Sequence, residues 1–408
     1  MKTEHPRTSR EAEELAHVIA HCFAGNYETL RQAFLLEFQH LPGARPEYWR
    51  IVRRKGKIVA HVGIYEKEVR IGCARLRMGG LGFVGCLPEF RRRGLAARCM
   101  VSALELMRQQ GIPLALLFGK DRYYPRFGFV GCFPKYTLKL KVTETEVAAL
   151  DNPFAVRPGV AQDLAALTEL YNAAAAGTAA SVVRTRRQFH FACRRWGLLD
   201  RKKPSLFVFR ERRDKRLLRA YLVWKDNSFW EAAMRPGDEA ACAGVLAWLR
   251  EQRREALEKE IVLPLLTPAH PLHAYALRLN HQTEGGLHWT GGGMGRIVDT
   301  KLFLQAVQPE FEARVATAGL EGEAELRLFV DGRVHELLLV PPGRKQAPGA
   351  GERRRVARVW CSQQALLQMV LGSLALPCIP GLRSGGDEAL VRALFPPGSP
   401  GVYRLDGF

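Results

Sequence analysis

The chain has 408 residues, is 47% hydrophobic, and carries 61 Lys and Arg against 41 Asp and Glu for a formal net charge of +20. That length exceeds one typical domain and predicts two or three, and the apolar content excludes a disordered polymer. No apolar run reaches the roughly 18 residues of a membrane span, and Met1–Arg10 lacks the apolar core of a signal peptide, so a cytoplasmic protein is expected.

Reading along the chain, Leu15, Val18, Ile19, Cys22 and Phe23 recur at helical spacing and predict an opening amphipathic helix. Apolar runs predict strands at Tyr48–Val52, Ile58–Tyr65, Glu68–Leu76 and Gly80–Val84. Pro88 then stops the run, and the basic turn Glu89-Phe-Arg-Arg-Arg-Gly94 leads into a helix pattern (Leu95, Cys99, Leu104, Met107) reaching about Gln110. The spacing Arg91-x-x-Gly94-x-Ala96 leaves backbone N–H groups free at a helix N-terminus, an arrangement that favours a pyrophosphate. It is neither a Walker A loop nor the three-glycine dinucleotide fingerprint. A strand at Leu114–Phe118 and the turn-rich Gly119-Lys-Asp-Arg-Tyr-Tyr-Pro-Arg-Phe-Gly-Phe129 follow.

The turn-rich Asp151–Gly159 marks a junction, and a domain is expected on either side: 1–150, then 151–294. The second begins with a helix from Asp163 through Tyr171-Asn172. Strands follow at Ser205–Phe209, Arg219–Lys225 and Ser228–Ala233, then a helix at Asp238–Glu258 and a strand at Ile261–Leu266. It has no arginine-glycine turn of its own. Gly291–Gly295 reads as a linker or turn before a third domain, 295–408. There a helix is expected at Thr300–Val307 and strands at Gly322–Val330, Arg333–Val340 and Arg354–Cys361. A polar Pro/Gly loop at Pro341–Gly351 precedes the last of these strands, and a helix at Ser362–Leu374 follows it.

Strand, proline, R-x-x-G-x-A and helix together resemble the GNAT superfamily of acyl-CoA N-acyltransferases. Over nearly the whole chain the sequence further resembles the enhanced intracellular survival family of bacterial acetyltransferases. The matching pieces are Gly82-Phe-Val-Gly-Cys86, Arg91–Leu95, Tyr124-Pro-Arg-Phe-Gly-Phe129, Pro268–Leu272, Val370–Ser373 and a terminal phenylalanine. The resemblance implies an α/β (α+β) chain: tandem GNAT-like domains, the second degenerate, then a sterol carrier protein-like domain. It implies acetyl-CoA as co-substrate, a primary amine as acceptor and a homo-hexamer. Val84, Gly85 and Cys86 would pair with the pantetheine arm and polarise the thioester carbonyl. Arg91, Arg92, Arg93, Gly94, Leu95, Ala96 and Ala97 would hold the pyrophosphate, with Gly119 and Lys120 lining the cofactor. Tyr124 would protonate the leaving thiolate, with Tyr123 as the neighbouring candidate, and the carboxylate of Phe408 would be the base. Asp406 is the acidic residue nearest the end, where the family can place one just before the final phenylalanine.

Other features are read as structural. Nine cysteines without a C-x-x-C pair predict free, mostly buried thiols. His270, His273, His281 and His288 read as loop histidines and not as a metal site. Arg184–Ala220 holds 14 Lys or Arg against Asp200, Glu211 and Asp214, and reads as a solvated face, so nucleic acid is not the expected partner. A non-catalytic lipid- or nucleic-acid-binding protein is the alternative that the sequence leaves open.

Overall fold

The computed structural model describes residues 2–23, 25–254, 259–264, 267–320, 323–340 and 354–407. The chain forms two units, one from Met1–Phe133 with His288–Pro400 and one from Pro134–Leu287 with Gly401–Gly407.

The first unit opens with helix α1 (Ser9–Cys22), entered through a capping box. Thr8 Oγ1 accepts from Glu11 N at 3.2 Å, and the Glu11 carboxylate accepts from Thr8 N at 3.3 Å. Its apolar stripe, Leu15, Val18 and Ile19, is buried as the spacing predicts. Helix α2 (Tyr27–His40) buries only Phe34 and Glu37, so its periodic signal is faint. Strands β1 (Trp49–Arg54), β2 (Lys57–Ile71) and β3 (Ala74–Cys86) form an antiparallel run. The separate strand expected at Glu68–Leu76 is instead a hairpin, because Gly72, at φ +56°, turns the chain between β2 and β3. Helix α3 (Leu95–Gln109) and strands β4 (Leu114–Gly119) and β5 (Val130–Phe133) follow.

The stretch read as a linker is sheet. Gly292–Ile297 is a strand lying between β4 and β5 and pairing antiparallel with both, which completes the order β1-β2-β3-β4-(292–297)-β5. Its glycines answer to close neighbours. A Cβ on Gly293 would stand 2.7 Å from Phe133 Cβ, and one on Gly295 2.7 Å from Leu367 Cδ2. Side chains clothe both faces of the sheet. Val62, Ile64, Ala103 and Met107 share the α3-side core, whereas Leu15, Ile19, Phe34, Trp49 and Tyr65 share the α1–α2 side.

Downstream, the helix expected at Thr300–Val307 continues to Thr317 with Pro309 inside it. A second sheet has the order Arg333–Leu339, Ala324–Val330, Arg355–Cys361, Arg383–Gly386, with its two central strands parallel. Helix Gln363–Leu371 docks through Gln368 Nε2, which donates to Gly131 O at 2.9 Å. The expected Pro/Gly loop, 341–351, lies outside the described residues.

The second unit has a four-stranded antiparallel sheet ordered Ser228–Met234, Leu218–Lys225, Leu206–Glu211, Phe154–Pro158. In a three-stranded sheet Lys135–Lys141 lies between Glu260–Pro264 and His281–Gly286. Helices Leu164–Ala174 and Glu239–Arg253 stand where the sequence placed them, to within the described residues. The basic stretch is not uniformly solvated. Arg210 pairs with Asp163 at 2.8 Å and Arg219 with Asp238 at 2.7 Å, while Arg201–Lys203 are exposed. Arg184 is fully buried between two carboxylates, Glu231 (2.6 Å) and Asp406 (2.8 Å). Asp406 is therefore a structural anion, also accepting from Tyr171 Oη at 2.8 Å, and not an exposed acid available to attract cations. His270 and His273 are likewise not surface loop residues. Both are buried at the helix Pro271–Ala276, and His270 Nε2 lies 2.9 Å from Ala232 O.

Candidate functional site

The site of the first unit begins with a register. β3 and β4 run parallel and pair only at Met78–Gly80 with Leu114–Leu116. Beyond that point β3 continues to Cys86 and β4 to Gly119, without a strand partner between them among the described residues. Two strands that part while still extended leave main-chain N–H and C=O groups unpaired along a cleft, the setting in which an extended ligand adds as a strand. Val84, Gly85 and Cys86 stand on one lip of this cleft, with Gly119 at the end of the other strand and Lys120 just after it.

A β-bulge re-aims the first lip. The β2–β3 pairing shifts by one residue between His61 and Gly63, opposite Gly82–Gly85. Phe83 absorbs the extra residue with φ +46°, outside the range that non-glycine residues normally adopt. Such a kink rotates successive amides out of the ladder.

Below the lip, β3 ends and a 3-10 turn at Pro88–Phe90 delivers Arg91, Arg92, Arg93 and Gly94, all exposed. Arg92 and Gly94 have φ +61° and +72°, and α3 starts at Leu95 with no side-chain cap on its first amides. Free N–H groups of this kind, with Ala96 and Ala97 too small to cover them, favour an anion, and Arg91, Arg92 and Arg93 stand in the turn just before them. Arg91 also folds back, its Nε donating to Cys86 O at 3.2 Å, which ties the turn to the strand lip.

Tyr124 is buried at 8% exposure and caps the 3-10 turn Pro125–Phe127. Gly119 is what lets it sit there, since a Cβ on that residue would lie 2.1 Å from Tyr124 Cε2. Burial pushes the Tyr124 hydroxyl up to about 12, with Tyr123 adding to the effect. It stays protonated throughout the neutral range, as a proton donor must. Tyr123 packs edge-on to Tyr124 at 4.9 Å, but its own hydroxyl is buried without a hydrogen-bond partner, and Arg126 covers its ring at 4.1 Å. Phe408 lies outside the described residues.

One residue at the bulge has no counterpart in the sequence reading. His61 of β2 is completely buried, and neither ring nitrogen makes a hydrogen bond. A lone histidine in an apolar strand carries no pattern that marks it. Among the described residues there is no group of three or more His, Cys, Asp or Glu placed to hold a metal ion, and no helix is long and apolar enough to cross a membrane. All nine cysteines are free thiols.

Residues 5–131 match the acetyltransferase (GNAT) domain family. The chain is an N-acetyltransferase. Within it, 130 residues are 27% identical to an uncharacterized N-acetyltransferase of Escherichia coli, YjhQ, covering 32% of this chain and 70% of that one. Two solved structures share its fold over the whole length. A probable N-acyltransferase from Enterococcus faecalis aligns with TM-score 0.71 and 14% identity, covering 100% of this chain and 99% of that chain. Eis1 from Mycobacterium abscessus aligns with TM-score 0.62 and 16% identity, covering 100% of both. GNAT domains use acetyl-CoA as co-substrate and pass its acetyl group to an acceptor, and the cleft between β3 and β4 with the arginine-glycine turn at its foot belongs to this domain.

Proposed function

We propose that the chain transfers the acetyl group of acetyl-CoA to a primary amine by direct attack, as the enhanced intracellular survival acetyltransferases that its motifs resemble do. The parting of β3 from β4 after Gly80 and Leu116 carries the proposal, because it offers an extended thioester arm two facing strand edges that no longer pair with each other. The residues divide the work by chemistry. Arg91–Ala97 hold the pyrophosphate; Val84, Gly85 and Cys86 present main-chain amides to the arm and the thioester carbonyl; Gly119 and Lys120 line the opposite lip. An amide aimed at the carbonyl oxygen stabilises the charge that grows there as the amine attacks. Tyr124 donates the proton that the departing thiolate takes up, and the carboxylate of Phe408 receives the proton lost by the amine. The same proposal includes the division into domains 1–150, 151–294 and 295–408, the last sterol carrier protein-like, and assembly as a hexamer.

The test is mass spectrometry of a mixed panel of amines incubated with acetyl-CoA and the chain with its natural C-terminus. A product 42 mass units heavier, about one acetyl in place of a proton, is expected from the chemistry of acyl transfer. Binding of acetyl-CoA with no acetylated amine in a panel spanning small amines, aminoglycosides and lysine peptides refutes the proposed acceptor class. Undiminished turnover after a peptide is appended to Phe408 refutes the carboxylate as base.

A further inference from the structure

A cavity of about 470 Å³ opens in the first unit between α3, the 3-10 turn Pro125–Phe127 and the end of the strand Gly292–Ile297. Its volume falls within the usual range for small-molecule sites, about 300–1,000 Å³. The walls divide by chemistry. Leu104 and Phe127 supply buried apolar surface and Val298 half-buried surface, while Val101 stands 59% exposed beside them. An exposed branched alkyl group next to an apolar wall is surface that a ligand can cover.

The polar part of the lining is cationic. Arg108, Arg126 and Arg296 line the cavity against a single carboxylate, Glu105. Glu105 is engaged by Arg108, whose Nε and Nη2 donate to it at 3.0 and 2.8 Å. Asp299, which also acts on Arg108, accepts from Leu302 N at 2.9 Å and caps the following helix. Among the described residues, neither Arg126 nor Arg296 has a carboxylate partner. Arg296 is half-buried; its Nη1 donates to Phe127 O, and its Nε is shut away from water with no acceptor. Burial pulls its pKa below the ordinary guanidinium value, yet that value is so high that the group stays charged at pH 7. Arg126 is exposed and held by stacking, its guanidinium carbon 4.1 Å from the Tyr123 ring centroid and 4.9 Å from that of Phe127. Stacking fixes the plane of the fork and leaves its N–H edge free to donate. A half-buried cation without a counter-ion is costly, and a bound anion removes that cost.

We propose that this cavity binds a small apolar carboxylate, an aryl- or branched alkyl-carboxylic acid, with its carboxylate on Arg126 and Arg296 and its apolar body on Val101, Leu104, Phe127 and Val298. Two guanidinium groups meet one carboxylate through charge-assisted hydrogen bonds. An inorganic anion leaves the apolar wall wet, and a neutral hydrocarbon leaves the cations unpaired, so the ligand needs both parts. The inference does not rest on the acetyl-transfer reading, and its residues are not those of the Arg91–Ala97 turn. Arg296 holds Phe127 O, and Tyr124 caps the same turn, its carbonyl accepting from Phe127 N at 2.9 Å. A carboxylate on Arg296 therefore lies one hydrogen bond from the turn that places Tyr124.

The probe is 3-phenylpropionate, titrated by calorimetry into the full chain with and without acetyl-CoA. A dissociation constant on the order of 0.1–1 mM is expected, the same in both series. 3-Phenylpropanol, which lacks the charge, and inorganic phosphate, which lacks the apolar body, are each expected to bind at least about 10-fold more weakly. Arg126→Met and Arg296→Met are each expected to weaken the probe by about 10-fold or more. Val101→Asp, which sets a like charge beside the carboxylate at an exposed position, is expected to abolish binding. Should Arg296→Met fail to fold, Arg126→Met and Val101→Asp, both at exposed positions, decide the matter. The site is overturned by an absence of binding up to about 10 mM probe, by phosphate binding as tightly as the probe, or by an affinity unmoved in Arg126→Met and Val101→Asp. Displacement of the probe by acetyl-CoA also overturns it, since the anion then belongs to the cofactor cleft.

Discussion

Arg184→Met removes the cation from the buried network of the second unit and leaves its geometry otherwise filled. In the native chain Arg184 Nη1 and Nη2 each donate to Glu231 at 2.6 Å, and Nε and Nη2 donate to Asp406 at 2.8 and 2.9 Å. Tyr221 donates to Glu231, and the Tyr171 ring lies 3.5 Å from the guanidinium carbon. Breaking a fully buried pair by deleting one partner costs about 3–5 kcal/mol, because a charge is left without compensation. Here two carboxylates are left together, so the upper end of that range is expected at pH 8. The sign of the pH effect follows. Without the cation, burial and mutual repulsion raise the carboxyl pKa values above their unfolded range near 4, and the folded variant then binds more protons than the unfolded one. Its stability deficit relative to wild type is therefore largest above the raised values and shrinks as pH falls towards about 4. Guanidinium unfolding at pH 8, 6.5 and 5, followed by the fluorescence of Trp196 and Trp230 (5.3 Å apart in this unit), reads the deficit locally. A loss below about 1 kcal/mol, or a deficit that grows on acidification, refutes the reasoning. The triple replacement Arg184→Met, Glu231→Leu, Asp406→Leu is expected to recover most of the loss, since apolar substitutes for a whole buried ion network are often neutral or stabilising.

Tyr124→Phe keeps the packing of the ring and removes the donor. Turnover is expected to fall about 10²- to 10⁴-fold with acetyl-CoA affinity unchanged by calorimetry, and full activity removes Tyr124 from the mechanism. Gly119→Ala puts a methyl 2.1 Å from Tyr124 Cε2, so it is expected to displace the ring and reproduce much of the Tyr124→Phe loss. A variant with wild-type turnover shows that Tyr124 placement is not critical. Finally, His61 and His270 are both held near pKa 4 by burial, below the unfolded value near 6.5. The unfolded state takes up protons first on acidification, so stability is full above pH 6.5 and falls towards pH 4, by about 3 kcal/mol per group at the limit. A melting temperature that is flat over that interval contradicts both shifts.

The parts of the fold legible in the sequence are those whose cause is local. The turn Arg91–Gly94 is readable because a left-handed residue at a helix start needs glycine, and Gly94 has φ +72° there. α1 is readable because its buried stripe recurs every three or four residues, whereas α2 buries Phe34 and Glu37 alone and leaves no stripe to see. The missed features have their causes elsewhere in the chain. Gly292–Ile297 looks like a linker because its hydrogen-bond partners are β4 and β5, more than 150 residues earlier, and its small side chains are imposed by Phe133 and Leu367. The pairing of Arg184 with Asp406 spans 222 positions, so neither residue announces the other. The cleft itself is such a feature: the sequence shows that β3 and β4 are strands, but where they stop pairing is a property of the register between them. Residues with strict backbone demands, such as Gly94, are therefore legible, and a side chain such as His61, whose setting depends on the glycine opposite it, is not. The residues directly across the sheet from the bulge are set by that same register, because the extra residue at Phe83 decides which β2 side chain stands opposite which glycine of β3.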